Sequence, residues 1–450
     1  MSILLSDRQA DDLHKAILDY LHNAGFTKSF EQLKEDTKLT DFQPDLGQKS
    51  NGLLVKKWTS VIRMQKKILD LEARLQEALH DNSNMAALPA GFSRRNNPDW
   101  LPTAGSSKHT LTGHRDAVNA VAFHPVYSVL VSASDDSTMK VWDWETGEME
   151  RTLKGHTKRI TDCEYDSKGK NLVSCAYDLF IKLWNVENDY QNFATLRGHE
   201  HSVSSAKFLP GDDRIISSSR DQTVRIWEIA TTHCIKVIRP HADWIRCAIP
   251  SSDGKFFITC SMDHTAHIVE LDSGTTKSEL RGHDNVVEAA VFVPVSCLPA
   301  IRELLGQKPT AAQSGVPDNA NISYAVTSSR DKTIKFWDAL RGQCLHSLVG
   351  HDDWVRALVF HPNGKYLLSA ADDHTIRIWE LKTGRCIRKI EAHERFVSSL
   401  AWGRQTISSD TNGKTGSSSG HLLMNVIASA SSDQVCRISF NFEALIRAGM

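Results

Sequence analysis

The chain has 450 residues, 40% of them hydrophobic and 24% charged, with a formal net charge of −1. That composition supports a large buried core, and its neutrality argues against a nucleic-acid binder that relies on phosphate attraction. Nine scattered cysteines without a Cys-x-x-Cys pair fit small buried thiols in a reducing cytosol better than a disulfide framework or a metal cluster. No run approaches the ~20 apolar residues of a membrane span, and the opening MSILLSDRQADD turns acidic too early for a secretory leader.

Residues 6–39 read as two short helices. Ser6 and Gln9 form a capping box ahead of a stripe of Leu13, Ile17, Tyr20 and Leu21. Asn23-Ala24-Gly25 ends that helix, and Thr27 caps a second whose apolar face is Phe26, Phe30 and Leu33. Helices this short cannot bury their stripes alone, so they want a partner. The set Leu13, Ile17, Tyr20-Leu21, Gly25, Phe30, Leu33 and Glu35 resembles the LisH dimerisation motif, which places that motif at residues 1–40.

Pro44 and Gly47 break the helical pattern. Within residues 51–81, Val61, Met64, Ile68, Leu71, Leu75 and Ala78 alternate spacings of three and four, a heptad seam. So short a coiled coil is marginal alone, but tethering to a dimerising motif makes its pairing effectively intramolecular. Residues 82–107, with Asn96-Asn97-Pro98, Pro102 and Gly105, read as a flexible linker.

From residue 108 to 450 one grammar recurs seven times. Its histidines are His114, His156, His199, His241, His283, His351 and His393. An aspartate follows 22 residues on at Asp136, Asp178, Asp221, Asp263 and Asp373, and later, after insertions, at Asp331 and Asp433. Four residues before each aspartate stands a hydroxyl: Ser132, Ser174, Ser217, Thr259, Thr327, Ser369 and Ser429. Six residues after it come Trp142, Trp184, Trp227, Val269, Trp337, Trp379 and Ser439. Runs such as AVNAVAF, SVLVSAS and TMKVWDW carry the β-branched, period-two pattern of strands. With the aspartate in a tight turn, its carboxylate accepts from the imidazole, the hydroxyl faces the other ring nitrogen, and the indole N–H reaches the hydroxyl. Each buried polar atom then has a partner. His114, Ser132, Asp136 and Trp142, or His351, Ser369, Asp373 and Trp379, are therefore structural tetrads, although His, Ser and Asp alone imitate a hydrolase triad.

The repeats resemble WD40 units, and seven of them imply an all-β, seven-bladed propeller of four-stranded sheets behind a small α-helical dimerisation region. Val269 and Ser439 depart from the pattern and cost blades four and seven an indole hydrogen bond. The last unit stops after its third strand near Phe440, so the segment around Lys108–Thr112 is expected to supply the missing outer strand. Insertions at 294–321, with a possible helical turn at Ala300–Leu305, and at Ser/Gly/Thr-rich 403–420 are expected to be external loops.

No phosphate loop, dinucleotide fingerprint, metal-spaced cluster or nucleophile elbow is present in the sequence, so neither cofactor nor catalysis is expected. Binding at the propeller rim is the remaining function. Positions just before the turn aspartate, and three and five after the histidine, share one rim. They place Arg220, Arg330, Trp244, Arg246, Trp354, Arg356 and Phe396 there, alongside Asp135, Tyr177, Asp372 and Glu288. Arginine and aromatic residues are the usual material of binding hot spots.

The order LisH, coiled coil with GLLVKKWTSVIRMQKKILDLE, linker and propeller with LVGHDDWVRALVFHPNGKYLLSAADDHTIRIWE is similar to the lissencephaly protein and nuclear distribution protein F family, of fungal type. The resemblance covers essentially the whole chain. It implies a homodimer that binds the cytoplasmic dynein motor domain, with a coiled-coil partner of the nuclear distribution protein E type. It further implies roles in nuclear migration, spindle positioning and microtubule transport, in the cytoplasm and on the cytoskeleton, including the spindle pole. Its dynein-contacting positions fall at Arg220, Arg330 and Trp354; the other rim residues follow from the register. Two alternatives stay open: a WD40 adaptor for a ubiquitin ligase or co-repressor, and the noncatalytic subunit of an acetylhydrolase.

Overall fold

A computed structural model describes residues 14, 17, 18, 20–22, 26–37, 100–103, 107–306, 323–408 and 421–440. The chain divides into two compact units, residues 1–94 and 95–450. The expected coiled-coil positions Val61, Met64, Ile68, Leu71 and Leu75 lie outside the described residues, as does Leu13.

In the first unit, His14, Ile17, Leu18, Tyr20, Leu21 and His22 are helical, and a second helix, α1, spans Thr27–Asp36. Leu18, which the first stripe does not include, has no exposed surface, whereas Tyr20 within it is 41% exposed in the single chain. Helical geometry explains the exchange: two residues are about 200° apart, so Leu18 and Tyr20 cannot share a face. Ile17, Leu21 and Phe30 are half-buried. Thr27 is not the cap expected of it. It is the first helical residue, and Phe26 occupies the cap position without a side-chain hydrogen bond.

The second unit is a ring of seven antiparallel four-stranded sheets. Blade one comprises Val118–Phe123, Val129–Ser134, Thr138–Asp143 and Met149–Lys154. Its second strand is buried on both faces, because one side packs inside the blade and the other against a neighbour. Blade seven comprises Val397–Ser408, His421–Ser431, Val435–Phe440 and, from the other end of the unit, Ser107–Thr112. The early strand pairs Thr110 with Arg437 and Leu111 with Cys436, closing the ring as expected.

Every blade carries the same polar relay. The histidine Nδ1–H donates to the turn aspartate over 2.6–2.9 Å. The Ser or Thr hydroxyl donates to Nε2 over 2.7–2.9 Å. In the five blades with tryptophan the indole N–H donates to that hydroxyl oxygen over 2.7–2.9 Å. The residue after each aspartate, for example Ser137 at φ 64° or His374 at φ 66°, is left-handed without being glycine, which costs roughly 1–2 kcal/mol. The aspartate offsets that cost: Asp136 Oδ1 accepts the Thr138 backbone N–H at 2.9 Å and its hydroxyl at 2.6 Å.

Three boundaries differ from expectation. The linker expected to reach 107 is docked from residue 100: Trp100 packs on Trp402 at 6.1 Å, His361 Nε2–H donates to the Trp100 carbonyl, and Arg388 donates to the Pro102 carbonyl. The first insertion begins as structure, a 3-10 turn at Val295–Cys297 and a helix, α2, at Leu298–Leu304, with Ile301 fully buried in a core shared with blades five and six. In the second, 403–408 is strand, paired from Gly403–Val426 to Ser408–His421, so this region is an extended hairpin where a loop was expected. The polar composition hid a strand held by backbone pairing.

The turn aspartates set the acid limit of the fold. Burial pushes Asp136 up, but the Thr138 hydroxyl, the Arg115 N–H and His114 outweigh it and hold the carboxyl at about 2, below its ordinary 3.8. Asp178, Asp221, Asp263, Asp331, Asp373 and Asp433 are likewise lowered. Their stabilisation is therefore complete above the unfolded value and is lost as pH falls through the folded ones. Burial also lowers His114 and His199, but Glu164, raised by burial to about 7, opposes them at milder pH. The melting temperature is thus expected to drop steeply below about pH 4; a flat calorimetric profile from pH 5 to 2.5 would contradict this. Asp373→Ala should cost roughly 3 kcal/mol in urea unfolding and Trp379→Phe about 1.

Candidate functional site

The relay joins the loop ahead of each blade's first strand to the turn between its second and third strands, so residues beside its His and Asp emerge on one face. Asp243 and Asp353 each accept the N–H of the tryptophan that follows, at 2.6 and 2.9 Å, and so fix Trp244 and Trp354 there. The expected rim residues then divide into three groups.

Arg220 lies between two aromatic faces, 4.5 Å from the centroids of both Tyr177 and Trp244, and donates to the Tyr177 hydroxyl. Arg159 stacks on the same Tyr177 ring at 4.5 Å. Burial, partly answered by Tyr177, and the nearby Arg246 lower the Arg220 guanidinium from its ordinary value. Arg220 has no carboxylate partner among the described residues.

Arg246, Arg330, Trp354 and Arg356 form a second group around Glu288. Its carboxylate, 3% exposed, accepts from Arg246 Nη2 at 2.6 Å and from Arg330 Nε at 2.5 Å. Arg330 lies 4.2 Å and Arg356 5.4 Å from the Trp354 ring centroid. Arg356 makes two bonds, of 2.5 and 2.7 Å, to the buried Asp372. Burial pushes Glu288 upward, but Arg246, Arg356 and Arg330 together hold it below the usual carboxylate range. The rim is therefore not a bare cationic patch. Arg246, Arg330 and Arg356 pair with two carboxylates, and Arg220, Arg330 and Arg356 lie over indole rings.

Phe396 stands apart. It is 46% exposed and meets His374, at 6.0 Å, rather than the Arg–Trp groups.

Sequence reasoning placed Glu288, Asp372 and Tyr177 on this rim without a role. They occupy the same register positions as the arginines, so the missing information was that blades five and six supply the counter-charge as well as Arg330 and Arg356. The tetrads show a different chemistry. Ser132 and Ser369 have no exposed surface and accept an indole N–H, so neither hydroxyl is presented to a substrate. Among the described residues no cluster of His, Cys, Asp and Glu is arranged to hold a metal, and no helix is long and apolar enough to cross a membrane.

The propeller and its sequence neighbours define a LisH-containing WD40-repeat protein. A PAC1 LisH domain matches residues 7–42, and the WD domain, G-beta repeat, matches 105–143, 147–185, 190–228, 232–269, 314–338 and 342–380. The chain is 53% identical over 438 residues to nuclear distribution protein PAC1 of Cryptococcus neoformans var. neoformans serotype D, covering 96% of this chain and 99% of that protein. It is 44% identical over 370 residues to nuclear distribution protein nudF of Aspergillus niger, covering 81% of each. With the PAC1 protein of Coccidioides posadasii, identity is 42% over 381 residues, 81% of this chain and 78% of the other. The chain belongs to the PAC1/nudF family of nuclear distribution proteins.

Glu288→Gln leaves two buried guanidinium groups without their shared counter-charge and should cost roughly 3 kcal/mol in urea unfolding. Adding Arg246→Gln should recover part of that loss, because the penalty comes from the unpaired charge; a strictly additive double variant would refute the coupling.

Proposed function

We propose that this protein is a non-catalytic regulator of cytoplasmic dynein that acts as a homodimer, each propeller docking its Arg–Trp rim on the motor domain. The observation that carries the reading is the convergence of Arg220, Trp244, Arg246, Arg330, Trp354 and Arg356 on one face, half-buried and held by neighbours rather than free to move. Preorganised arginine and tryptophan lose little entropy on binding. Family membership among nuclear distribution proteins supports the same reading.

Docking favours one conformation of the motor's ATPase ring to the extent that the rim binds that conformation more tightly. The rim's excess positive charge suits an acidic motor surface. Dimerisation through the LisH motif and the segment at 51–81 raises the effective concentration of the second propeller, so a weak single contact suffices. The cellular consequences would be nuclear migration, spindle positioning and retrograde transport, with a nuclear distribution protein E-type coiled coil as partner and microtubules in the cytoplasm as the location.

Arg330→Ala combined with Trp354→Ala should give a folded dimer that no longer co-pellets with dynein motor domain on microtubules; undiminished co-pelleting would remove the rim from the mechanism. Deleting residues 1–85 should give a monomeric propeller by light scattering. A dimer there would move self-association onto the blades.

A further inference from the structure

The seven blades are not equivalent where the indole belongs. In the five blades with tryptophan, the residue before the relay histidine is glycine: Gly113, Gly155, Gly198, Gly282 and Gly350. A Cβ at these positions would stand 2.8–3.4 Å from the indole Cη2, so glycine is what the indole requires. The two blades without tryptophan have Pro240 and Ala392 instead.

Blade four replaces the lost volume. Phe257 and Val269 are fully buried in its core, and His267 stacks on the relay His241 with centroids 4.0 Å apart. Blade seven does not. Opposite Ser439 it has Ile427, where blade four has Phe257. Between blades six and seven lies a cavity of about 180 Å³ whose apolar walls are Ile376, Ile390, Ala392 and Ile427, with Ser429 and Ser439 on its blade-seven side and Thr103, Ser107, Glu391 and Arg437 completing a polar edge. Other blades seat their indole at the corresponding seam: Trp337, for instance, packs among Ile258, Ile268 and Leu280 of the preceding blade.

We propose that this cavity is a binding site for a flat heteroaromatic ring of indole size bearing an N–H donor. A cavity of about 150 Å³ accepts benzene, so by volume this one has room for a somewhat larger ring, its apolar face against the isoleucines and its N–H edge toward the serines. The polar determinant is already in place. Ser429 hydrogen-bonds to His393 Nε2 at 2.8 Å, and its oxygen keeps the acceptor position that takes an indole N–H in five sister blades. Two sources share this chemistry: a free small molecule, or a tryptophan side chain offered by a partner. The site is independent of the rim.

The test uses the full chain with indole, 1-methylindole and N-acetyltryptophanamide as probes, read by ligand-observed NMR and by thermal shift. Indole should bind and raise the melting temperature. 1-Methylindole should bind about fivefold more weakly, the worth of one ~1 kcal/mol hydrogen bond. The double variant Ala392→Gly, Ser439→Trp restores the sister blades' glycine–indole pair and should abolish binding while keeping or raising the melting temperature. Should that variant not fold, Ser429→Ala must erase the preference for indole over 1-methylindole. N-acetyltryptophanamide binding as well as indole would identify a protein side chain as the occupant, and indole alone a free molecule. No indole binding by the full chain, equal binding to the filled variant, or a preference unaffected by Ser429→Ala would each overturn the proposal.

Discussion

Everything in the propeller depends on what one carboxylate does at a hairpin turn. The turn needs a left-handed residue next to the aspartate, and Oδ1 stabilises it through the backbone two positions on. Oδ2 is then free to take the histidine's Nδ1–H, which fixes the tautomer and leaves Nε2 as an acceptor. The hydroxyl must therefore donate to Nε2, so its oxygen is left to accept the indole N–H. A single local choice propagates through four side chains to the seam with the next blade. Within this relay every donor meets an acceptor.

The rim inherits its order from that relay. Because the relay ties the incoming loop to the turn, the residues flanking both are held at a fixed separation, and a guanidinium from one blade lands on an indole from the next. Buried cations would ordinarily be expensive there. Glu288 and Asp372 remove most of that cost, and Arg246, Arg356 and Arg330 in turn hold Glu288 below the usual carboxylate range. The chain's near-zero net charge and its arginine-rich face are thus compatible, since much of the counter-charge sits beneath the rim. What such a rim offers is shape and fixed direction more than long-range attraction, which salt screens over a Debye length of about 8 Å.

The tetrads were legible in the sequence because their spacing is dictated by strand length and turn geometry, which barely vary between blades. Ring closure by the segment before His114 was legible for the same reason: a sheet one strand short must find it elsewhere. Side-chain partnerships across blades were less so. Glu288 shares its register position with Arg246 and Arg356, and only the folded ring reveals that it lies between Arg246 and Arg330. The hairpin at 403–408 and 421–426 was hidden because its first arm, Gly403–Ser408, runs into a Ser/Gly/Thr-rich stretch and is marked as strand by its backbone pairing.

The seam between blades six and seven concentrates the exceptions to the repeat. The ring closes there with a strand taken from the start of the unit. Residues 100–103 dock across the same seam through Trp402, His361 and Arg388. His361 lies in the loop between a first and second strand, so Trp100 is held on the face opposite the rim. This is also the seam that lacks its indole and keeps a cavity. In the five tryptophan blades the indole packs one sheet against the one before it, and in blade four Phe257 and Val269 take its place. Here that adhesion is carried by the docked segment and the closing strand instead, so occupancy of the cavity and attachment of the leading segment should act on the same weak joint: whatever fills the one stiffens the wall on which the other is held.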